Sequence, residues 1–408
     1  MTNYRPPLIG VIGKTNVGKT TFFSAATLVN AEISNRPFTT INPNIGIGYV
    51  RVRCPHAELG LPSCEPRTGF CLRGTRFVPV ELIDVAGLIR GAHEGRGLGN
   101  KFLDDLRKAD ALLLVIDAAG ATDDSGNPLP PGSSDPAEEA ATILDEVAHW
   151  LAGILASDWR RLITKVESQA IDPAEAIAER LSGLGVKRVH ASEALRRSAL
   201  EKKRLSEWTR DDLLRFAREL RAVSKPLLIV ANKADLPEAK EGLERLRGAF
   251  SDILVVPASA QAELALKRAW AAGLIDYVPG EGSFVVRESG RLSEAQRRAL
   301  EYVKRRVLEI YGSTGVQQAI EKLVFEVARY VAVFPVENAE KLTDGEGRIL
   351  PDVFLVREGS TVREVARLVH TELAEKFVAA IDARRGVKLG EDSEVYNGMV
   401  FKVITRAR

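Results

Sequence analysis

The run GVIGKTNVGKT, residues 10–20, limits the fold more than any other stretch of the chain. Residues 13–20 fit G-x-x-x-x-G-K-T with no position missing. Such a loop cradles phosphate only when a strand leads into it and a helix leaves it. Loop N–H groups and the positive end of the helix then converge on one anion. Both flanks are present. LIGVIG (8–13) is a short apolar strand ending in glycine, and a helix-compatible stretch starts at Lys19. The expected nucleotide contacts are Gly13, Lys14, Thr15, Asn16, Val17, Gly18, Lys19, Thr20 and Thr21. Lys19 reaches the β- and γ-phosphates and so counts among the catalytic groups; Thr20 ligates Mg2+.

The rest of the chain is organised around that start. IGIGYVRV (45–52), FVPVELIDVAG (77–87), ALLLVIDAAG (111–120), KPLLIVANKAD (225–235) and DILVVPASA (252–260) read as strands. Helical patterns follow the last two. The alternation predicts an α/β fold, a P-loop NTPase with a doubly wound, mostly parallel sheet. Residues 121–136 are a Pro-, Gly- and Ser-rich loop, and 137–222 show only helical spacing, which predicts an all-helical, coiled-coil-like insertion. An amphipathic helix is expected over 313–332. Beyond it lie strand patterns VAVFPV, DVFLV and MVFKVI, with a helix over 361–377 between the last two. The expected domains are 1–120 with 224–332, an insertion 121–223, and a small α+β module 333–408. Hydrophobic residues are 45% and no apolar run reaches the roughly eighteen residues of a membrane helix, so a cytoplasmic, soluble protein is expected.

Two further motifs bear on metal and base. DVAG places Asp84 at a strand end, where it holds magnesium, and Gly87 where its N–H senses the γ-phosphate. Between loop and DVAG lie Thr39 and Thr40 in RPFTTINPN; Thr40 is the preferred third metal ligand, ordered only with the γ-phosphate. NKAD (232–235) ends an apolar strand. Asp235 can accept from guanine N1–H and N2–H2 together, a pair that adenine lacks. Asn232 is assigned to the base edge, and the Lys233 stem to a ring face. Ser259, with neighbours Ala258 and Ala260, offers a backbone N–H to the guanine oxygen.

The ordered set GKTNVGKT, TT, DVAG, NKAD and SA resembles a translation-factor-class GTPase. DVAGLIRGAHEGRGLGNKFLDDLRKAD (84–110) with RPFTTINPN resembles the Obg superfamily, and within it the YchF branch. GSTVREVARLVHTEL with YNGMVFKV resembles a TGS domain, a ubiquitin-like β-grasp module. The resemblance covers nearly the whole chain and implies GTP/GDP as ligands, a ribosome or RNA partner through the TGS domain, and no membrane partner. A monomer is expected. YchF-type proteins that prefer ATP do not keep the final Asp of the base motif. The intact Asp235 favours GTP, as in an archaeal-type YchF-related protein. The alternatives are a YchF-like ATPase linked to stress, or a nucleotide-dependent adaptor with little hydrolysis.

Leu88 stands where many small GTPases place a water-orienting glutamine, and its side chain can neither donate to nor accept from water. Three sources of catalysis remain. His93, on a glycine-rich loop, can orient or deprotonate water, and the family resemblance implies the same candidate. Asn16 can help hold K+ where an arginine finger would otherwise act, as the N-V-G-K-T loop implies in related potassium-activated GTPases. A partner can supply the group.

Cys54, His56, Cys64 and Cys71 lie between two predicted strands. Zinc, a disulfide and unlinked thiols all stay open, because no C-x2-C pair is present. Residues 187–225 carry 12 Lys or Arg against 6 Asp or Glu, which reads either as an RNA-backbone contact or as a solvated helical surface. Net charge is only +2, so no overall field draws the chain to nucleic acid.

Overall fold

The run Leu8–Ile12 forms β1, buried at all five positions. It lies between β4 (Thr75–Asp84) and β5 (Ala111–Asp117), parallel to both. These residues belong to a computed structural model that describes 4–28, 44–85, 87, 105–287 and 292–406. With β2 (Ile45–Arg53), β3 (Phe70–Leu72), β6 (Leu227–Asn232) and β7 (Val255–Pro257) they make a seven-stranded sheet of order β2-β4-β1-β5-β6-β7, with β3 paired to β4. The pairings from β4 through β7 are parallel; β2 and β3 run antiparallel to β4.

Strand β5 shows why its run is wholly apolar. Leu113 and Val115 enter a core shared with Phe22, Leu264 and Ile320, while Leu112, Leu114 and Ile116 enter a second core shared with Ile143, Leu243 and Leu246. Alternate side chains point to opposite faces, and helices cover both, so no position is left for a polar residue.

Between β5 and β6 the chain runs through helices. The helix Pro136–Ser157 starts at Asp135, whose carboxylate accepts from Ala137 N at 2.8 Å, with Pro136 at the first helical position. Its 22 residues span about 33 Å. Ala140 to Val147 pack on the sheet, whereas Leu151 and Leu155 join a separate helical core with Ile177, Leu195, Phe216 and Leu220.

After an antiparallel pair, β8 (Ile275–Tyr277) with β9 (Phe284–Val286), the tail forms a five-stranded sheet of β10 (Tyr330–Val336), β11 (Phe354–Arg357), β12 (Phe377–Asp382), β13 (Val387–Leu389) and β14 (Met399–Thr405), in the order β11-β10-β14-β12-β13. This is the β-grasp module. Phe334 and Val400 reach into the core of the larger sheet, while Val333, Met399 and Phe401 pack against Val362 and Val365.

Two expected helices differ, and two strands were not expected. The helix expected over 313–332 begins at Val316 and has given way by Arg329, whose φ of 52° turns the chain into β10. The helix expected over 361–377 breaks at His370, where φ −161° and ψ 136° are extended. The His370 ring nitrogen then caps a second short helix, Thr371–Glu375, by accepting from Glu372 N at 3.3 Å. Strands β12 and β13 were not expected, because FVAAID runs straight on from a helical pattern that includes Phe377 and VKL is only three residues long.

Candidate functional site

The phosphate loop is held by contacts that tolerate no side chain at its glycines. Gly13 has φ 151°, and a Cβ there would meet Val115 O at 2.4 Å; Gly18 has φ 93°, and a Cβ would meet Asn232 Nδ2 at 2.3 Å. The helix Lys19–Thr27 has no side-chain cap, so its first N–H groups face the loop without a competing acceptor. Thr15 and Asn16 are exposed; Val17 is buried; Thr21 is partly buried on the first turn. Lys19 is held below the usual lysine range by burial, against the pull of Asp84.

Thr20 Oγ1 donates to Asp84 Oδ2 at 3.0 Å, so two of the three expected metal ligands already touch. Asp84 Oδ1 is buried with no hydrogen-bond partner among the described residues. A buried, unpartnered carboxylate oxygen beside a hydroxyl fits a hard divalent cation such as Mg2+. A Cβ on Gly87 would lie 2.9 Å from Thr15 Oγ1, which places the DVAG glycine against the loop. Thr39, Thr40, Leu88 and His93 lie outside the described residues.

At the base corner β6 ends in Asn232. Its Nδ2 donates to Val17 O at 2.8 Å and its Oδ1 accepts from Ala260 N at 3.0 Å. The sequence assigned this side chain to the base edge; the structure engages one donor and the acceptor in tying three loops together. Lys233 has φ 61° and its ammonium meets the buried Asp117 carboxylate at 2.8 Å. Asp235 is partly exposed and accepts from Tyr302 OH at 3.4 Å, a long contact. The N–H groups of the Ala258–Ala260 turn are all engaged: Ala258 with Ala231 O, Ser259 with Thr314 O, Ala260 with Asn232 Oδ1. In this arrangement Asn232 and the segment at Thr314 already satisfy the turn, so a base oxygen would have to displace one of these acceptors. The Ser259 hydroxyl caps the following helix by accepting from Ala262 N at 3.3 Å.

Sequence reading missed the cover over the loop's outer corner. Lys14 Nζ donates to Thr122 O at 3.1 Å and lies 2.6 Å from Glu139 Oε2; Asn16 Nδ2 donates to Gly126 O at 2.8 Å. Asp117 was also missed, although an acid closing an all-apolar strand was a visible signal. Glu139, its side chain only 7% exposed, is pushed up to about 7, mainly by burial, with Lys14 pulling the other way. The ammonium is close, yet neither Glu139 oxygen has a partner of hydrogen-bond geometry, which is why burial prevails. An acid raised in this way stabilises the fold fully below about pH 4.5 and loses that contribution as pH rises through about 7. Relative to Glu139→Gln, the unsubstituted chain therefore loses on the order of 2–3 kcal/mol of stability between about pH 4.5 and 7.5. Denaturant unfolding of both proteins across that range checks it; a difference that does not change with pH sinks the assignment.

Six of the twelve basic residues of 187–225 are ion-paired within the helical segment. Arg196 and Arg197 pair with Glu193, Lys203 and Arg215 with Asp212, Arg218 with Asp145, and Arg188 with Asp172. This supports a solvated helical surface over a phosphate-binding face.

A phosphate loop on a doubly wound sheet, an acid beside the loop threonine, an NKAD corner and a β-grasp tail define a P-loop GTP-binding protein of the translation-factor type. Models of known families match it in three pieces: a 50S ribosome-binding GTPase over 8–150, an Obg-like GTPase of the YGR210-like kind (its G4 motif-containing domain) over 230–338, and a TGS domain over 344–405. The chain is 46% identical to a GTP-binding protein of Methanocaldococcus jannaschii, covering 98% of this chain and 100% of that one. It is 33% identical to the ribosome-binding ATPase YchF of Bacillus subtilis, over 63% of this chain and 66% of that one. The crystal structure of a GTP-binding protein from Pyrococcus horikoshii aligns over 98% of this chain and 99% of its own, with TM-score 0.77 and 37% identity. The chain belongs to the Obg-like, YchF-related GTPase family. No helix among the described residues is long and apolar enough to cross a membrane.

Proposed function

We propose that this protein hydrolyses GTP to GDP and phosphate as a switch that acts, as a cytoplasmic monomer, on the ribosome. The observation that carries the hydrolytic reading is the Thr20–Asp84 contact with its orphaned Asp84 oxygen at the mouth of the phosphate loop. Mg2+ held by Thr20 and Asp84, with Thr40 joining, would neutralise charge on the β- and γ-phosphate oxygens. Lys19 pairs with those oxygens, Gly87 N–H reads the γ-phosphate, and the neutral imidazole of His93 takes a proton from the attacking water. Asp235 holds guanine by its two donors. The ribosome as partner is supported by the name of the YchF relatives and by the TGS module.

ATP hydrolysis is a second reading. The fully engaged N–H groups of Ala258–Ala260 favour it, since guanine loses a donor there. Competition of GTP and ATP for a fluorescent nucleotide separates the two, and co-sedimentation with ribosomes in each nucleotide state tests the partner. Equal affinity for both nucleotides removes the GTP reading.

Potassium bears on the rate. Asn16 has φ 64° and its amide nitrogen is turned to Gly126 O, which leaves the side-chain oxygen as the atom for a cation. Single-turnover GTP hydrolysis is expected to run about tenfold faster in potassium than in sodium. Asn16→Ala erases that difference, and His93→Ala slows both rates by about 10–100-fold. Identical rates in both salts and in both variants exclude these roles.

A further inference from the structure

The chain leaves the large sheet at the end of β2 and returns through β3, and this excursion brings together three thiols and an imidazole. Cys54 follows β2 and precedes the short helix Pro55–Glu58; His56 sits in that helix; Cys64 is in the loop after it; Cys71 is the middle residue of β3. One ligand atom from each lies within 4.8 Å of all the others. Cys54 Sγ and Cys64 Sγ are 3.7 Å apart, and Cys71 Sγ is 3.8 Å from His56 Nδ1. A tetrahedron with ~2.3 Å zinc–sulfur bonds spaces its sulfurs about 3.8 Å apart. A disulfide needs sulfurs at about 2.05 Å, and all three cysteines are free.

We propose that Cys54, His56, Cys64 and Cys71 bind one zinc ion in a closed, structural site. Three thiolates and a neutral imidazole are the donors that favour zinc over hard, oxygen-seeking cations. Charge supports the same choice. Three thiolates and Zn2+ leave one negative charge. Arg76, fully buried and with no ion pair among the described residues, points Nη1 at Cys64 Sγ from 3.7 Å. Its guanidinium neutralises the cluster and so has a reason to be buried.

The site has a structural task. Directly after Cys64, Glu65 N donates to Ile349 O and Arg67 N to Pro351 O, each at 2.9 Å. Arg67 pairs with Asp344 and Asp352, and Arg76 Nη2 donates to Leu350 O. On the same excursion Glu58 pairs with Arg384. The zinc-clipped loop is thus the strap by which the GTPase sheet grips the β-grasp module.

The full-length protein, purified without chelator and dialysed, is assayed for metal by mass spectrometry. It is then exchanged to Co2+ and read for thiolate charge-transfer and tetrahedral d–d bands. One zinc per chain and both band sets are expected. Cys71→Ser and His56→Ala each weaken zinc affinity by more than about 100-fold, while His56→Cys, which keeps four ligands, retains it. Chelation of the parent protein raises amide exchange at Glu65 and Arg67, whose N–H groups donate to Ile349 O and Pro351 O. A metal-free parent with three titratable thiols overturns the proposal, as does a Cys54–Cys64 disulfide. So does zinc that persists in both ligand-removing variants. If Cys71→Ser does not fold, the metal count of the parent and of His56→Cys decides.

Discussion

Asp235→Asn lowers the affinity for GTP by at least about a hundredfold and raises that for xanthosine triphosphate. The carboxylate accepts from both guanine donors at once. Asparagine keeps one acceptor oxygen and replaces the other with an N–H2, which then faces the guanine amino group donor to donor. Xanthine carries a carbonyl in place of that amino group, so the new N–H2 gains an acceptor while the amide oxygen still receives N1–H. The surrounding frame is unaltered, because Asn232 and Lys233 are anchored by Val17, Ala260 and Asp117 rather than by Asp235. Competition against a fluorescent nucleotide measures both effects. Undiminished GTP binding makes Asp235 only an acceptor for Tyr302 and removes the basis for guanine selectivity.

The parts of this protein that were legible in its sequence are those where local chemistry leaves no choice. Gly13 and Gly18 stand where any Cβ collides, so the phosphate loop must be spelled with glycine. Strand β5 must be apolar from Ala111 to Ile116 because both of its faces are covered. Other parts depend on partners far along the chain. The Lys14 ammonium meets Thr122 O, 108 residues away, and nothing near either residue announces the other. The base corner was legible in outline, but a motif names Asn232 and the Ala258–Ala260 turn without saying that they bind each other. The thiol cluster was named in the sequence, but zinc, a disulfide and unlinked thiols stayed open, because its residues come from the end of a strand, a helical turn, a loop and a hairpin strand. Their spacing matches no short motif, although their chemistry is that of a zinc site. In the tail, His370 broke an otherwise continuous helical pattern by capping the next helix with its own ring.

Lys19→Met is expected to abolish the stabilisation that GTP and Mg2+ confer, while leaving the nucleotide-free protein as stable as before or more so. The two halves have one cause. Burial lowers the Lys19 pKa, so the empty fold disfavours the ammonium it holds, and only Asp84 partly offsets this. Methionine keeps the apolar stem and removes the charge, which relieves that penalty. A bound triphosphate reverses the balance. Its β- and γ-oxygens meet an ammonium already stripped of water, and each charge-assisted hydrogen bond contributes about 1.5–3 kcal/mol. Losing two of them lowers triphosphate affinity by about 10²–10⁴-fold. Unfolding temperatures of both proteins, with and without GTP and Mg2+, separate the outcomes. A nucleotide-dependent rise that survives in Lys19→Met overturns the phosphate role of Lys19. A fall in the nucleotide-free value instead means that the ammonium serves the fold.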